Sequence, residues 1–104
     1  MDFGSYGQLF KALASETRLE LIESLQGEAK TVNELVEETG RRQNKVSYHL
    51  KCLKSCGFVR AEAEGNQRIY KLVTDTQDRL FEAVDMHIQK HEEGINTCEI
   101  LEEN

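Results

Sequence analysis

What this sequence lacks narrows it first. No apolar run among its 104 residues approaches the roughly 20 needed to span a bilayer, so no membrane partner is expected. The opening MDFGSYGQLF has neither a basic n-region nor an apolar h-region, and the expectation is a soluble, cytoplasmic protein. Cysteine is scarce, three in all, and an odd number without an export signal does not make a disulfide framework. What remains for those thiols is metal or redox chemistry in a reducing compartment, or burial as small apolar filler. There is no nucleophile, base and orienter set, and no glycine-rich loop follows a strand-like segment, so the chain does not read as an enzyme. Its length allows one small domain with a modest core, for which a homodimer is expected.

Positive charge is also in deficit overall, with a net charge of −6, and an acidic protein on average repels nucleic acid. The deficit is not evenly spread. Residues 41–71 hold eight basic side chains (Arg41, Arg42, Lys45, Lys51, Lys54, Arg60, Arg68, Lys71) against two acidic ones (Glu62, Glu64). Charge so segregated describes a basic face on an acidic body, and a phosphate backbone meets the local sign.

The centre of that basic region is residues 41–57, RRQNKVSYHLKCLKSCG. Val46, Leu50 and Leu53 recur at i, i+4 and i+7, which predicts a helix with one apolar stripe for a core. Asn44, Ser47, Tyr48, Lys51 and Ser55 fall on the opposite side, polar and free to hydrogen-bond a partner. His49, Cys52 and Cys56, at i, i+3 and i+7, share one flank between the two faces.

Tyr6, Leu9, Phe10 and Leu13 predict an amphipathic helix over about residues 5–14. Ser15 is an N-cap for the next, with Leu19, Ile22 and Leu25 as its core stripe and Gly27 as its stop. Thr31 and Glu34 spell a capping box for a third helix ended by Gly40. A short helix, a glycine turn and a second helix with a polar face is the helix-turn-helix pattern, whose second helix enters the major groove. Residues 58–72 then predict a basic β-hairpin turning at Gly65-Asn66, with Arg68 near the tip where it reaches a phosphate or the minor groove. A last helix is expected from Thr74, capped by Thr74 and Gln77, striped by Leu80, Phe81, Val84 and Ile88, and ending near Gly94. Residues 95–104 form an acidic, poorly patterned and mobile tail with Cys98 in it. The expected architecture is mainly α with a small β-hairpin: a winged helix-turn-helix domain over residues 1–94, dimeric through its first and last helices, followed by the tail.

Three segments, LFKALASETRLELIESL, KVSYHLKCLKSCGFV and EGNQRIYKL, resemble in order and spacing the ArsR/SmtB family of metal-responsive winged-helix repressors. The resemblance implies a homodimer that binds double-stranded operator DNA and releases it when a metal effector binds. It also places Gln43, Asn44, Ser47, Tyr48 and His49 at the reading positions, and with the basic residues the candidate DNA contacts are Arg41, Arg42, Gln43, Asn44, Lys45, Ser47, Tyr48, His49, Lys51 and Arg68. The family's cysteine pair in the third helix is absent, since that stretch reads TVNELVEE. Asp85 and His87, with Cys98 at the matching downstream spacing, mimic the family's last-helix zinc pattern, but Asp85 and His87 come about three turns too late, so the resemblance implies a degenerate site of which His87 and His91 are remnants. Cys52 and Cys56 in KCLKSCG, with a lone tail cysteine, resemble the CmtR-type cadmium- and lead-sensing branch, which implies a three-thiolate site of Cys52, Cys56 and Cys98. Three sulfurs favour Cd(II) or Pb(II), with As(III) also suited and Zn(II) needing a further ligand. A thiol-redox-responsive or ligand-independent regulator is the alternative for the same residues.

Overall fold

A computed structural model of the chain describes residues 1–74 and 76–102. The chain divides into two compact units, Met1–Val73 and Thr74–Asn104. The first contains α1 (Phe3–Leu13), α2 (Glu16–Ser24), β1 (Lys30–Thr31), α3 (Val32–Thr39), α4 (Gln43–Ser55), β2 (Val59–Glu64) and β3 (Gln67–Leu72). The second contains α5 (Gln77–Asn96) and α6 (Glu99–Glu102). The architecture is a mainly helical winged helix-turn-helix.

Local chemistry starts and stops these elements where they are needed. Asp2 caps α1 through the Ser5 amide, and Ser15 caps α2 through the Arg18 amide. Thr31 and Glu34 form the reciprocal capping box of α3, as the sequence suggests. Gly40, at φ 71, ends α3 in the left-handed region, which a side chain adopts only with strain, so the chain can reverse into α4. At the far end of α4, Gly57 lies at φ 83 and its amide bonds Lys54 O, while the Phe58 amide bonds Leu53 O. That double closure is a Schellman motif, and Phe58 and Leu53 are both buried as its apolar contact requires.

The core of the first unit is Leu21, Ile22 and Leu25 from α2, Leu35 from α3, and Val46, Leu50 and Leu53 from α4, closed by Phe58, Val59 and Leu72. The α4 stripe read from the sequence is wholly buried. The α2 stripe is not as expected: Leu19 is 41% exposed, and Leu21 takes the central place at 0%. Both leucines suit a helix, and only the direction in which α3 and α4 pack selects between them.

The hairpin turns at Gly65-Asn66, with Glu64 opposite Gln67 and Val59 opposite Leu72. A strand the sequence did not signal, β1, pairs antiparallel with β3 through Lys30 opposite Tyr70 and Thr31 opposite Ile69, giving sheet order β1-β3-β2. Two residues carry no alternation to read, and their pairing partners lie some forty positions away. Lys30 also braces this corner, donating to Ser24 O at 2.6 Å and pairing with Glu38.

In the second unit three boundaries differ from expectation. The helix α5 starts at Gln77, and its N-cap is Thr76 rather than Thr74, with no side-chain cap hydrogen bond. Thr76 already has helical dihedrals, so its hydroxyl is not placed to accept from the first turn. Gly94 does not stop the helix, which continues to Asn96 and is closed by Thr97 Oγ1 donating to Glu93 O at 2.8 Å. A glycine inside a helix costs about 1 kcal/mol, less than the continued hydrogen-bond ladder supplies. The stretch expected to be irregular folds as α6, begun by the Leu101 amide bonding Cys98 O; residues 103 and 104 lie outside the described residues. Among the described residues no helix is long and apolar enough to cross a membrane.

Candidate functional site

The α4 helix is set into the core by Val46, Leu50 and Leu53, and everything else on it faces outward or sideways. On its outer side Arg42, Gln43, Asn44, Lys45, Ser47, Tyr48 and Lys51 are all exposed. Tyr48 is the extreme case for an aromatic, 69% exposed. The N-cap, Arg42, makes no side-chain cap bond, so the positive end of the helix dipole opens to solvent. Within the first turn Asn44 Oδ1 accepts from the Lys45 amide at 2.9 Å. Exposed donors around an open helix N-terminus can hold a phosphate or a base edge.

Two of the expected DNA contacts are engaged within the protein. Arg41 is only half-exposed and donates through Nε and Nη2 to Glu20 on α2, at 2.8 and 3.1 Å. The Arg41 hydrogen bond holds the Glu20 carboxyl below its usual range, and Glu20 in turn raises Arg41. His49 is half-buried, and its Nδ1 lies 3.2 Å from Arg18 Nη1. Since a guanidinium can only donate, Nδ1 is the acceptor and the ring is neutral with its proton on Nε2. Burial lowers the His49 pKa, and the cations Arg18, Lys45 and Arg41 lower it further. The His49 ring also stands edge-on to Tyr48, with centroids 5.1 Å apart.

Arg18 was absent from the sequence reading, and it is the most connected side chain of the site. Besides His49 it donates to Ala12 O at 2.5 Å and Lys11 O at 3.3 Å, satisfying carbonyls at the end of α1. A faint signal was present. It is the lone basic residue of ETRLELIES and stands in the first turn, where the helix dipole disfavours a cation unless another partner holds it.

The flank of α4 carries the thiols. Cys52 is half-buried and Cys56 exposed, and the two thiols line the same cleft as electrostatic neighbours. They open into a cleft of about 850 Å³ between α4 and α1, walled by Gly4, Ser5, Gln8, Leu9, Ala12, Arg18, Tyr48 and Ser55 among others. Burial pushes the Cys56 thiol above its ordinary value, the neighbouring Cys52 adds to this, and Arg18 opposes it. The pair supplies two soft donors one helical turn apart. Cys98 belongs to the second unit, half-buried in a groove with His87 and His91, whose rings are 4.6 Å apart. Among the described residues no three His, Cys, Asp or Glu side chains converge to hold a metal ion.

On the hairpin, Glu62 pairs with Lys71 at 2.8 Å and stands 3.9 Å from Arg60, so part of the wing's positive charge is balanced. Arg68 is exposed beside the turn, opposite Ala63.

Comparison with known proteins agrees with this geometry. Residues 15–61 match the model of the arsR family of bacterial regulatory proteins. The chain is 40% identical over 65 residues to the probable mercury resistance operon repressor of Streptomyces lividans, covering 62% of this chain and 52% of that one. It is 32% identical over 79 residues to an HTH-type transcriptional regulator of Methanocaldococcus jannaschii, covering 75% and 89%. The chain thus spans about half the length of the Streptomyces relative and most of the archaeal one. Among solved structures it resembles the homodimeric winged helix-turn-helix DNA-binding domain of a possible ArsR-family regulator from Mycobacterium bovis. The TM-score is 0.76 at 29% identity, over 88% of this chain and 85% of that one.

Proposed function

Because the chain belongs to the arsR family of bacterial regulatory proteins, we propose that it is a transcriptional repressor that binds operator DNA as a homodimer and releases it when a soft metal ion is captured by cysteine thiolates. The observation that carries this reading is that the exposed reading face and the thiol pair lie on one helix, α4, whose inner side is locked into the core. A rigid helix passes a displacement at its flank to its reading face, because packed cores shift between discrete arrangements rather than deform smoothly.

In this reading Arg42, Lys45, Lys51 and Arg68 meet phosphates, while Gln43, Asn44, Ser47 and Tyr48 face base edges. Arg41 joins them by exchanging Glu20 for a phosphate. His49 acts from behind, through Tyr48 and Arg18. Dimerisation uses the exposed aromatic face of α1, where Phe3, Tyr6 and Phe10 are 80%, 46% and 54% exposed, together with the apolar residues Met86 and Ile88 of α5.

The effector is Cd(II) or Pb(II), held by Cys52 and Cys56 with Cys98 as the third thiolate. The description of the Streptomyces relative, a mercury resistance repressor, supports a soft ion of this kind. Arg18 lies beside both thiols and also brackets His49 to the end of α1, so a ligand drawn into the cleft acts on the bracket that positions α4. A 100-fold loss of operator affinity needs only ~2.7 kcal/mol of such coupling.

The test is binding of the reduced protein to a DNA fragment from upstream of its own gene, followed by fluorescence anisotropy with and without Cd(II). Wild type should lose about 100-fold in affinity, and the Cys52→Ser, Cys56→Ser double variant should stay bound. Release of the double variant at wild-type Cd(II) concentrations rules out the thiol reading.

A further inference from the structure

Two consecutive arginines stand at the entrance to α4, and the fold treats them oppositely. Arg42, the N-cap, is exposed and its side chain caps nothing. Arg41 is folded back across the turn onto α2, where its guanidinium fork closes on both oxygens of Glu20, Nε donating to Oε2 at 2.8 Å and Nη2 to Oε1 at 3.1 Å. The backbone beneath it is fixed. The Arg41 amide donates to Thr39 Oγ1 at 3.3 Å, and that hydroxyl donates in turn to Leu35 O at 2.7 Å, so the side chain pivots from a point anchored to the last turn of α3. Both partners stay wet, with 30% of the Arg41 side chain and 45% of the Glu20 side chain exposed. Glu16, one turn earlier on α2, adds to the negative field at the guanidinium. A fork closed on a carboxylate uses the same parallel N–H donors that a phosphate accepts. Half in water, such a pair is weak enough to open, because exposed ion pairs contribute little and are screened by salt.

We propose that Glu20 is an internal competitor for the DNA backbone: it occupies the Arg41 fork in the free protein and so holds operator affinity below what the basic face alone would give. The inference rests on the reading of α4 as the DNA-reading helix, and it gives α2 a positioning residue that acts through Arg41. Exchanging one anion for another keeps Arg41 paired, but it strands the Glu20 carboxylate. At neutral pH that carboxylate remains ionised and draws a cation back from solution. The uptake offsets the cation that the contacted phosphate releases, so Arg41 adds little to the salt dependence of binding while Glu20 is present. Once Glu20 is neutral, Arg41 counts as a full phosphate contact. An affinity held down in this way lets a modest effector coupling complete the release of DNA.

The experiment compares wild type with Glu20→Gln, Arg41→Ala and the double variant, following binding to a DNA fragment from upstream of the gene by fluorescence anisotropy over about 50–200 mM salt. Glu20→Gln should bind about threefold tighter per protomer, hence roughly tenfold for a homodimer, and its plot of log K against log salt should steepen by about one per protomer. In the Arg41→Ala background the same substitution should change affinity by less than about twofold and leave the slope as it was. If Glu20→Gln binds no tighter than wild type, Glu20 does not compete with DNA, and the proposal is overturned. An equal gain with and without Arg41 overturns it too, because Glu20 then acts only by diffuse repulsion of the phosphates. If folded wild type shows no salt-dependent binding to the fragment at all, the reading of α4 as the DNA-reading helix fails and takes the competition with it.

Discussion

At its N-terminal end α4 begins on Arg42, whose side chain caps nothing, and its first two turns present exposed amides, a lysine and a tyrosine to solvent. At its C-terminal end the same helix is closed by Gly57 and Phe58, walled by α1 and lined with two thiols, of which Cys56 has its pKa raised by burial. In the proposed reading one end meets a large polyanion that supplies its own hydrogen-bond partners, and the other a small soft ligand held against a shaped wall. What joins them is the buried stripe Val46, Leu50 and Leu53 together with the Arg18 bracket. The contrast teaches that a helix usually described by one role can divide its length between two.

The largest effect comes from removing what the two ends share. Leu50→Ala opens a cavity at a fully buried position and should cost about 2–5 kcal/mol, read as a shift of the chemical denaturation midpoint. Both DNA binding and thiol-ligand binding should then fail together at moderate denaturant. Arg42→Ala with Lys45→Ala breaks only the N-terminal end. Operator affinity should fall and the salt slope of log K should shrink by about two, with the Cd(II)-thiolate absorbance band unchanged. Gly57→Ala disturbs only the C-terminal end, because alanine at φ 83 is strained by about 1–2 kcal/mol. Its denaturation midpoint should drop and its thiolate band weaken, with operator affinity nearly retained.

The smallest effect sharpens the comparison at the joint. His49 has a lowered pKa in the folded protein, so the unfolded chain binds the extra proton first as pH falls. Its contribution is therefore fully present above the ordinary histidine value of 6.5 and is lost as pH falls below it toward the lower folded value. Melting temperature should fall from pH 7 to pH 5 more in wild type than in His49→Gln, by thermal denaturation in matched buffers.

Several of these parts were readable from residue spacing. The α4 stripe, the Thr31 and Glu34 capping box and the Gly65-Asn66 turn each depend on residues within seven positions of one another. The thiol pair was equally legible, since i and i+4 on a helix share a side whatever surrounds it. Its cleft was not, because α1 supplies the opposite wall from some forty residues away. Arg41 illustrates the same limit: its charge could be counted, yet its Glu20 partner could not be seen. Leu19 and Leu21 were ambiguous for a related reason, being two leucines of one helix that differ only in which neighbour they meet.

By itself the sequence determined the helix-turn-helix and wing, the basic segment within an acidic chain, and the candidate donors on each side of α4. These follow from periodicity, capping and charge, which are properties of short stretches. Only the tertiary structure decided that Lys30 and Thr31 become a strand, that Arg18 rather than a residue of α4 ties the reading helix to α1, and that the thiols open into a cleft instead of solvent. Each of those depends on atoms brought together across long loops, where the gain from packing and hydrogen bonding outweighs any local preference.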